Sequence, residues 1–300
     1  MAAADRSSPP PLTFLGAPVD SVGRAGGTEH GPRALRELGL VAALGGPDAG
    51  DLPVRIRGEV RDAETGVVAS PDVLATTAAV REAVARMVAD GERPFVCGGC
   101  CSLVPGALAG ARDAYGSVGL AYVDGHLDLY DGRTSPTGEA ADMPVAVALG
   151  FGPERWVEAC GGPSLEPERT AIVGHRDQDE SRGYGMLQPE ELPGLIHPSI
   201  DDVRAEGPAT VGGRVAAELA AAGPFWLHFD VDVLDEEVFP ATDYLMPGGM
   251  TWEETEPLLA AFLASPALIG ASLGCYNPDK DDSGRACGRA LVGALAAGLG

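Results

Sequence analysis

The chain alternates between short runs of apolar residues and longer stretches in which apolar residues recur every three or four positions. Short apolar runs are typical of strands buried on both faces, and the longer stretches of helices with one apolar face. This alternation predicts a parallel sheet covered by helices on both faces. Six strands are predicted, at residues 12–17, 94–97, 118–123, 170–174, 225–229 and 268–273. A first helix is predicted to start at Pro32. Further helices are predicted at residues 72–89, 103–114, 142–149, 209–222, 252–263 and 284–299.

The same alternation runs through the whole chain of 300 residues. Because a chain of this length can bury a large core, we predict one α/β domain covering residues 12–300. The Ser/Pro-rich start, residues 1–11, is predicted to be a disordered leader. Residues 45–70 are rich in Pro, Gly and Asp and are predicted to be irregular.

Carboxylates follow directly after two of the predicted strands. Asp124, His126 and Asp128 come after the third strand, and Asp230 and Asp232 after the fifth. Because ligands bind outside the carboxyl ends of strands in a parallel sheet, these groups are expected to share one crevice. Gathered acids repel one another and lose hydration, so a divalent metal held by carboxylates and imidazole is the simplest compensation. The alternative is that the acids cap strand ends and turns, with His126 a buried core histidine.

The composition limits the classes of partner. The chain has 21 Lys and Arg against 44 Asp and Glu, which gives a formal net charge of -23. Nucleic acids and anionic membranes require clustered basic residues, so neither is expected as a partner. No stretch has the character of a signal peptide or a membrane span, which favours a cytoplasmic protein. The six cysteines, including the adjacent Cys100 and Cys101, are expected to be reduced thiols.

Several ordered motifs resemble the ureohydrolase family of arginases and agmatinases over nearly the full length of the chain. They are Gly16-Ala17-Pro18-Val19-Asp20, Gly31-Pro32-Arg33-Ala34-Leu35-Arg36, Gly98-Gly99-Cys100-Cys101-Ser102, Asp124-Gly125-His126-Leu127-Asp128, Phe229-Asp230-Val231-Asp232-Val233-Leu234-Asp235 and Pro247-Gly248-Gly249-Met250-Thr251. The third, fourth and fifth fall on the family patterns Gly-Gly-Asp-His-Ser, Asp-Ala-His-x-Asp and Ser-Phe-Asp-Val-Asp-x-x-Asp. The resemblance implies a three-layer α/β/α sandwich with a mainly parallel sheet of about eight strands.

The resemblance also implies a binuclear centre with two Mn²⁺ ions that acts on a small-molecule substrate. The implied metal ligands are Asp124 and Asp230 bridging both ions, Asp128 at one site, His126 and Asp232 at the other, and Cys101 where a histidine ligand is expected. The implied reaction is attack of metal-bridging hydroxide on the trigonal carbon of a guanidinium or amidine group, which breaks a C–N bond. Relatives of this kind form trimers and hexamers, so a homo-oligomer is implied as well.

Cysteine at position 101 changes the expected metal chemistry. A thiolate ligates divalent metals, and in this respect the chain resembles the Nω-hydroxy-arginine amidinohydrolase branch, which has cysteine at the same place. Thiolate ligation shifts preference from manganese toward Zn²⁺, Fe²⁺ or Co²⁺. The alternative is that Cys101 is a small buried hydrophobic residue beside a one-metal or empty site.

The implied substrate pocket also departs from arginase. Ala141 stands where arginases have a proton-shuttling histidine, and Cys275 where a glutamate grips the guanidinium. Because that anchor is lost, the predicted substrate is less basic than L-arginine: a hydroxyguanidine, acylguanidine or amidine whose carboxylate tail meets Arg182. The predicted substrate-binding residues are Thr137, Asp179, Arg182 and Cys275.

Protonation of the leaving group must follow another route when position 141 is alanine. We assign it to Asp128 or, from its position, to Glu139. An inactive arginase-like binding or scaffold protein is the alternative, because the expected residues at 101, 141 and 275 are all absent. A zinc deacetylase with a related sheet is a third reading, which shares the Asp-x-His pattern but requires a histidine pair that this chain lacks.

Overall fold

A seven-stranded, all-parallel sheet forms the centre of the protein in the computed structural model, which describes residues 11–24 and 26–299. The strands are β1 (Leu12–Ala17), β2 (Gly45–Asp51), β3 (Arg93–Gly98), β4 (Gly119–Val123), β5 (Thr170–Val173), β6 (Phe225–Asp230) and β7 (Leu268–Gly274). Their order across the sheet is β2-β1-β3-β7-β6-β4-β5. The predicted leader, apart from Pro11, lies outside the described residues.

Helices cover both faces of this sheet. They are α1 (Gly31–Glu37), α2 (Leu40–Leu44), α3 (Ser70–Ala89), α4 (Val104–Tyr115), α5 (Pro144–Leu149), α6 (Glu154–Ala159), α7 (Gln178–Gly183), α8 (Ile200–Glu206), α9 (Pro208–Ala222), α10 (Trp252–Leu263) and α11 (Ala286–Leu299). Buried apolar residues of α3, α4 and α5 pack on one face, and those of α1, α2, α9, α10 and α11 on the other. The predicted three-layer sandwich is therefore confirmed, with seven strands. No helix in the described part of the chain has the length and apolar character that crossing a membrane requires.

The edge strand β2 differs from the sequence-based expectation, which placed an irregular segment there. Its residues are largely exposed, and its pairing with β1 is interrupted twice. Arg36 anchors it through ion pairs to Asp48 (2.6 Å) and Asp51 (2.8 Å). An exposed edge strand needs no apolar alternation, so its sequence carried no strand pattern. The short helices α2, α6, α7 and α8 were also missed, because one or two turns are too short to show a helical period.

Side chains in the middle of the sheet alternate between the two apolar layers. In β6, Phe225, Leu227 and Phe229 face the layer containing α9 to α11, whereas Trp226 faces the layer containing α3 to α5. Strand alternation places His228 on the same face as Trp226. Strand β6 thus places the imidazole of His228 in the protein interior, two residues before the strand ends at Asp230.

Two adjacent glycines of α9 provide a test of the packing between α9 and α10. A Cβ at Gly212 would lie 2.8 Å from the carbonyl oxygen of Leu258, whereas one at Gly213 would meet nothing within 4 Å. We expect Gly213→Ala to raise the free energy of unfolding by about 0.5–1 kcal/mol through helix propensity. Gly212→Ala should lower it by about 1–3 kcal/mol, because the helices must separate. Urea denaturation measures both, and equal changes in the two variants would contradict this packing.

Candidate metal centre

Four neighbouring strands bring their carboxyl ends to one crevice. The chain passes from β3 to β4 across the positions of β7 and β6, and this change of direction is where parallel sheets bind ligands. After β3 the backbone turns at Gly99, where a Cβ would lie 1.5 Å from the carbonyl oxygen of Val19. Only glycine permits this approach, which places Cys101 at the start of a short 3₁₀ turn facing the crevice.

The first group of potential metal ligands, here called the thiolate cluster, consists of Cys101, Asp124, His228 and Asp230. One ligand atom from each lies within 4.8 Å of the others, and all four side chains are buried. Cys101 Sγ donates a hydrogen bond to the Asp230 carboxylate and lies 3.2 Å from His228 Nε2. Strand β6 and the segments that follow β3 and β4 thus supply sulfur, nitrogen and oxygen donors to one point.

The second group, here called the carboxylate cluster, consists of Asp124, His126 and Asp232, whose ligand atoms also lie within 4.8 Å of one another. His126 Nδ1 is 3.1 Å from an Asp232 oxygen and 3.5 Å from an Asp124 oxygen. His126 is partly exposed, whereas both acids are buried. The two clusters share Asp124, so ions in both would be neighbours.

The electrostatics of the acids favour a bound cation. Burial, followed by the charges of Asp232 and Asp230, raises the pKa of Asp124 well above its usual range. Burial and Asp232 likewise raise the pKa of Asp230 to about 7. Burial raises the pKa of Asp232, but the charge and hydrogen bond of His126, together with the charge of Arg176, outweigh it, so this pKa is lowered. A divalent ion would pair with all three carboxylates and displace their protons, which is the expected coupling between metal binding and protonation.

The donor set also fits a metal sterically and chemically. A Cβ at Gly274 would lie 3.2 Å from Cys101 Sγ and 3.3 Å from His228 Cε1, so glycine leaves the space that both ligand atoms face. Burial lowers the pKa of His228 to about 3, which keeps its imidazole neutral. Neutral imidazole, thiolate and carboxylate together suit divalent transition ions better than calcium or magnesium.

Asp128, predicted as both a ligand and a proton donor, lies outside both clusters. Its backbone has a φ of 51°, and its carboxylate accepts a hydrogen bond from the hydroxyl of Tyr122. Burial, followed by the charge of Asp124, raises the pKa of Asp128 well above its usual range. The carboxylate nevertheless lines the cavity beside the clusters. Its role as a ligand stays a prediction.

A cavity opens above the two clusters and includes some, but not all, of the predicted substrate contacts. Its lining comprises Cys101, Asp124, His126, Asp128, Tyr130, Ala141, Asp142, Asp177, Asp230, Asp232, Tyr244 and Cys275. Cys275 Sγ lies 3.7 Å from Cys101 Sγ, at the end of β7. The hydrogen bond with Cys101 lowers the pKa of the Cys275 thiol, but burial together with the charges of Asp230 and Asp232 raises it well above its usual value.

Three predicted substrate-binding residues do not line this cavity. Thr137 is exposed and donates a hydrogen bond to the cavity residue Asp142 at 2.6 Å. Asp179 and Arg182 are exposed on α7, where Arg182 pairs with Glu190 at 3.2 Å. In this arrangement Arg182 points to a surface carboxylate, so a direct contact with a substrate tail remains a prediction without geometric support.

Glu139, the predicted proton donor, connects to the cavity indirectly. The hydroxyl of Tyr244, which lines the cavity, donates a hydrogen bond to the Glu139 carboxylate. Burial, followed by the charge of Asp142, raises the pKa of Glu139 to about 7. Ala141, at the position of the expected histidine, lines the cavity without a titratable group. Tyr244 thus provides a hydroxyl at the place where sequence reasoning found only alanine.

Sequence reasoning missed His228, Asp177 and Tyr244. For His228 a signal was present: strand alternation places His228 and Asp230 on the same face of β6. This signal is difficult to recognise in the sequence because His228 lies within an otherwise apolar run of residues. Asp177 lies two residues before Asp179, which was predicted as the substrate contact in its place. For Tyr244, which lies in a loop, the sequence offers no such periodicity.

Comparison with known proteins identifies the family of this chain. The family model described as the arginase family matches residues 11–297. The arginase of Bacillus subtilis (strain 168) is 28% identical over 276 residues, which cover 90% of this chain and 91% of that protein. The solved structure of arginase from Bacillus caldovelox has a TM-score of 0.86 at 26% identity and covers 96% of this chain and 97% of that chain.

A more distant structural relative is the proclavaminate amidino hydrolase of Streptomyces clavuligerus. It has a TM-score of 0.70 at 18% identity and covers 97% of this chain and 92% of that chain, which shows a shared fold. The family assignment rests instead on the matching model, which spans nearly all of the described residues. This protein belongs to the arginase family of ureohydrolases.

Proposed function

We propose that this protein is a binuclear metal hydrolase that cleaves a C–N bond of a guanidino, hydroxyguanidino or amidine-type small molecule. The observation that carries the proposal is the pair of ligand clusters that share Asp124 at the strand ends of an arginase-family chain. Two divalent ions are proposed as cofactors, with Mn²⁺ as the first candidate and Zn²⁺, Fe²⁺ or Co²⁺ accepted because of Cys101. The working form is proposed to be a homo-oligomer.

The side chains of the two clusters would hold the ions, and the surrounding residues would handle substrate and protons. The bound ions would lower the pKa of a water molecule and stabilise negative charge that develops on the substrate. Asp128 lies beside the clusters with its carboxylate fixed by Tyr122. In this position it is proposed to accept or donate a proton at the reacting centre, whether or not it also contacts an ion.

The cavity lining supports a substrate that carries N–H donors but no strong positive charge. Asp177 is buried, and its Oδ1 has no hydrogen-bond partner among the described residues. A buried acceptor of this kind requires a donor, which an N–H group of a guanidine or amidine would provide. Cys275 supplies a thiol where arginases are expected to carry glutamate, so the carboxylate expected to grip the guanidinium is missing at that position.

Proton delivery to the leaving nitrogen is proposed to pass through Glu139 and Tyr244. A carboxylic acid with a pKa of about 7 is suited to donate a proton at neutral pH. In the structure the Tyr244 hydroxyl donates to the Glu139 carboxylate. When Glu139 is protonated this hydrogen bond would reverse, so that Tyr244 would transfer its proton into the cavity and take the proton of Glu139 in exchange. This pair takes the part that the residue at position 141 cannot play.

Asp230→Asn tests the metal centre. Manganese or zinc at a hundredfold excess over its dissociation constant should stabilise the wild type by about 2.7 kcal/mol, seen as a rise in melting temperature. The variant should lose this rise, yet its metal-free form should be at least as stable, since one buried repelling acid is gone. Glu237→Gln, which alters an exposed acid nearby, is the control. Full metal-dependent stabilisation of Asp230→Asn would refute the ligand assignment.

A substrate panel tests the reaction. The metal-loaded enzyme should turn over a hydroxyguanidine or acylguanidine faster than L-arginine, and Cys275→Glu should shift kcat/KM toward L-arginine by restoring an anionic anchor. Cys287→Ser, outside the cavity, serves as the thiol control. Product release is followed by chromatography. Comparable turnover of L-arginine by the wild type would contradict the substrate class, and no turnover by a fully metal-loaded protein would favour the inactive binding protein.

The pH dependence of kcat/KM tests the Glu139 and Tyr244 pair. Because the pKa of Glu139 is raised to about 7, the carboxyl group keeps its proton below that pH and loses it above. Activity that depends on this proton should therefore fall as the pH rises through about 7. Glu139→Gln should lower kcat and remove this limb, and Tyr244→Phe should add little to that loss. An unchanged limb in Glu139→Gln would exclude Glu139 as the donor.

A further inference from the structure

His228 lies in the middle of the sheet, at a buried level that contains both apolar and polar side chains. A row of paired residues crosses five adjacent strands at this level. The row consists of Val96 in β3, Ser272 in β7, His228 in β6, Tyr122 in β4 and Ile172 in β5. His228 is 0% exposed, so its imidazole is completely buried in this layer of the sheet. A buried polar group of this kind requires an explanation.

The neighbours of His228 fix the direction in which its ring points. Its Nδ1 lies 2.8 Å from the hydroxyl oxygen of Ser272, which also accepts a hydrogen bond from Trp226 Nε1 at 2.9 Å. The Tyr122 ring stacks on the imidazole, with centroids 4.8 Å apart. With Nδ1 and one ring face occupied, Nε2 faces Cys101 Sγ at 3.2 Å. Metal-binding histidines are oriented in this way, by a hydrogen bond at the nitrogen that does not bind the metal.

We propose that His228 is a metal ligand and that the thiolate cluster is a four-ligand site for a zinc-class ion, Zn²⁺ or Co²⁺. The carboxylate cluster, with two carboxylates and one imidazole, then takes the harder ion, Mn²⁺. This inference rests on the proposed function, because it assigns chemistry to the two sites of the same binuclear centre. Its new content is the ligand from β6 and the resulting difference between the two sites.

The number and type of donors support this division. The thiolate cluster offers one sulfur, one nitrogen and two carboxylates, which matches the four-coordinate sites that zinc forms with Cys, His and Asp. The carboxylate cluster offers only three residues and opens to the cavity through the partly exposed His126, which leaves positions for substrate. Soft thiolate selects zinc and cobalt, whereas oxygen-rich sites suit manganese.

The charges of the ligands balance two divalent ions without Asp128. The anionic ligands are Cys101, Asp124, Asp230 and Asp232, which together carry four negative charges against four positive ones. Asp128 is instead engaged by the Tyr122 hydroxyl, whose ring also stacks on His228. His228 therefore takes the fourth ligand position of the thiolate cluster, and Tyr122 supports both side chains.

Cobalt titration under reducing conditions tests the proposal without requiring activity. The first equivalent of Co²⁺ should enter the wild-type thiolate cluster and produce a sulfur-to-cobalt charge-transfer band together with the intense visible bands of a tetrahedral ion. Cys101→Ser should abolish the charge-transfer band. His228→Ala should keep sulfur ligation but weaken binding of that equivalent by at least about tenfold. Ser272→Ala should weaken it in the same direction, because the ring loses its orienting hydrogen bond.

Matched variants separate these effects from a general loss of structure. Cys100→Ser alters the adjacent thiol, whose Sγ lies 2.9 Å from Ser102 Oγ and outside both clusters. His175→Ala removes another buried imidazole, whose Nε2 lies 3.1 Å from the carbonyl oxygen of His197. Neither should change the affinity or the spectrum of the first equivalent. Binding of Mn²⁺ to the carboxylate cluster, read by electron paramagnetic resonance after one equivalent of zinc, should survive in His228→Ala and be weakened in His126→Ala.

Zinc-edge X-ray absorption on the wild type keeps the test decisive if the variants fail to fold. One equivalent of zinc should show a single sulfur neighbour at about 2.3 Å and the multiple-scattering signature of imidazole. A spectrum without sulfur, or unchanged affinity in His228→Ala, would overturn this inference and leave the binuclear hydrolase standing. A wild type that binds no metal would overturn both the ligand assignment and the proposed binuclear hydrolase. If the expected spectra are found in a protein without hydrolytic activity, the ligand assignment is supported and only the proposed reaction is refuted.

Discussion

The structure of the site depends on carboxylates that are withdrawn from water yet held close together. Asp124 lies in both ligand clusters, and Asp230 and Asp232 approach it from the next strand. The parallel sheet imposes this arrangement, because the register of β4 with β6 brings their acidic ends to the same level. Burial and mutual repulsion raise the pKa values of Asp124 and Asp230, whereas His126 and Arg176 lower that of Asp232, so the chain itself compensates only part of the gathered charge.

Much of the fold could be predicted from the sequence, because the central strands and long helices bury regular apolar patterns. The strand Leu12–Ala17 and the helix Trp252–Leu263 were predicted to the residue. The edge strand β2 was not, since ion pairs from Arg36 and backbone pairing to β1 hold it instead of apolar contacts. The local pattern of apolar residues therefore predicts the central strands and the covering helices. It does not predict an edge strand that is held by ion pairs with residues distant in the sequence.

The site was predictable to a smaller extent. Acids at strand ends are visible in sequence because strand and turn are adjacent, which explains why Asp124 and Asp230 were recognised. The direction of loop side chains is not encoded in motif spacing, and Arg182 lies at the surface although it follows a site motif by only a few residues. Tyr244 and Glu139 meet from loops about a hundred residues apart, a contact that no local pattern contains.

The close approach of Cys101 and His228 constrains how the centre could have arisen. Sulfur and imidazole nitrogen already lie 3.2 Å apart, and a Cβ at Gly274 would approach both side chains to within 3.3 Å. A histidine at position 101 would extend its ring into the space that His228 occupies. Replacing a histidine at 101 by the present pair therefore requires changes at two positions. The clash is avoided if position 101 becomes cysteine while position 228 still carries a small residue, and histidine is introduced at 228 afterwards. The lineage of this site should be read from both positions together.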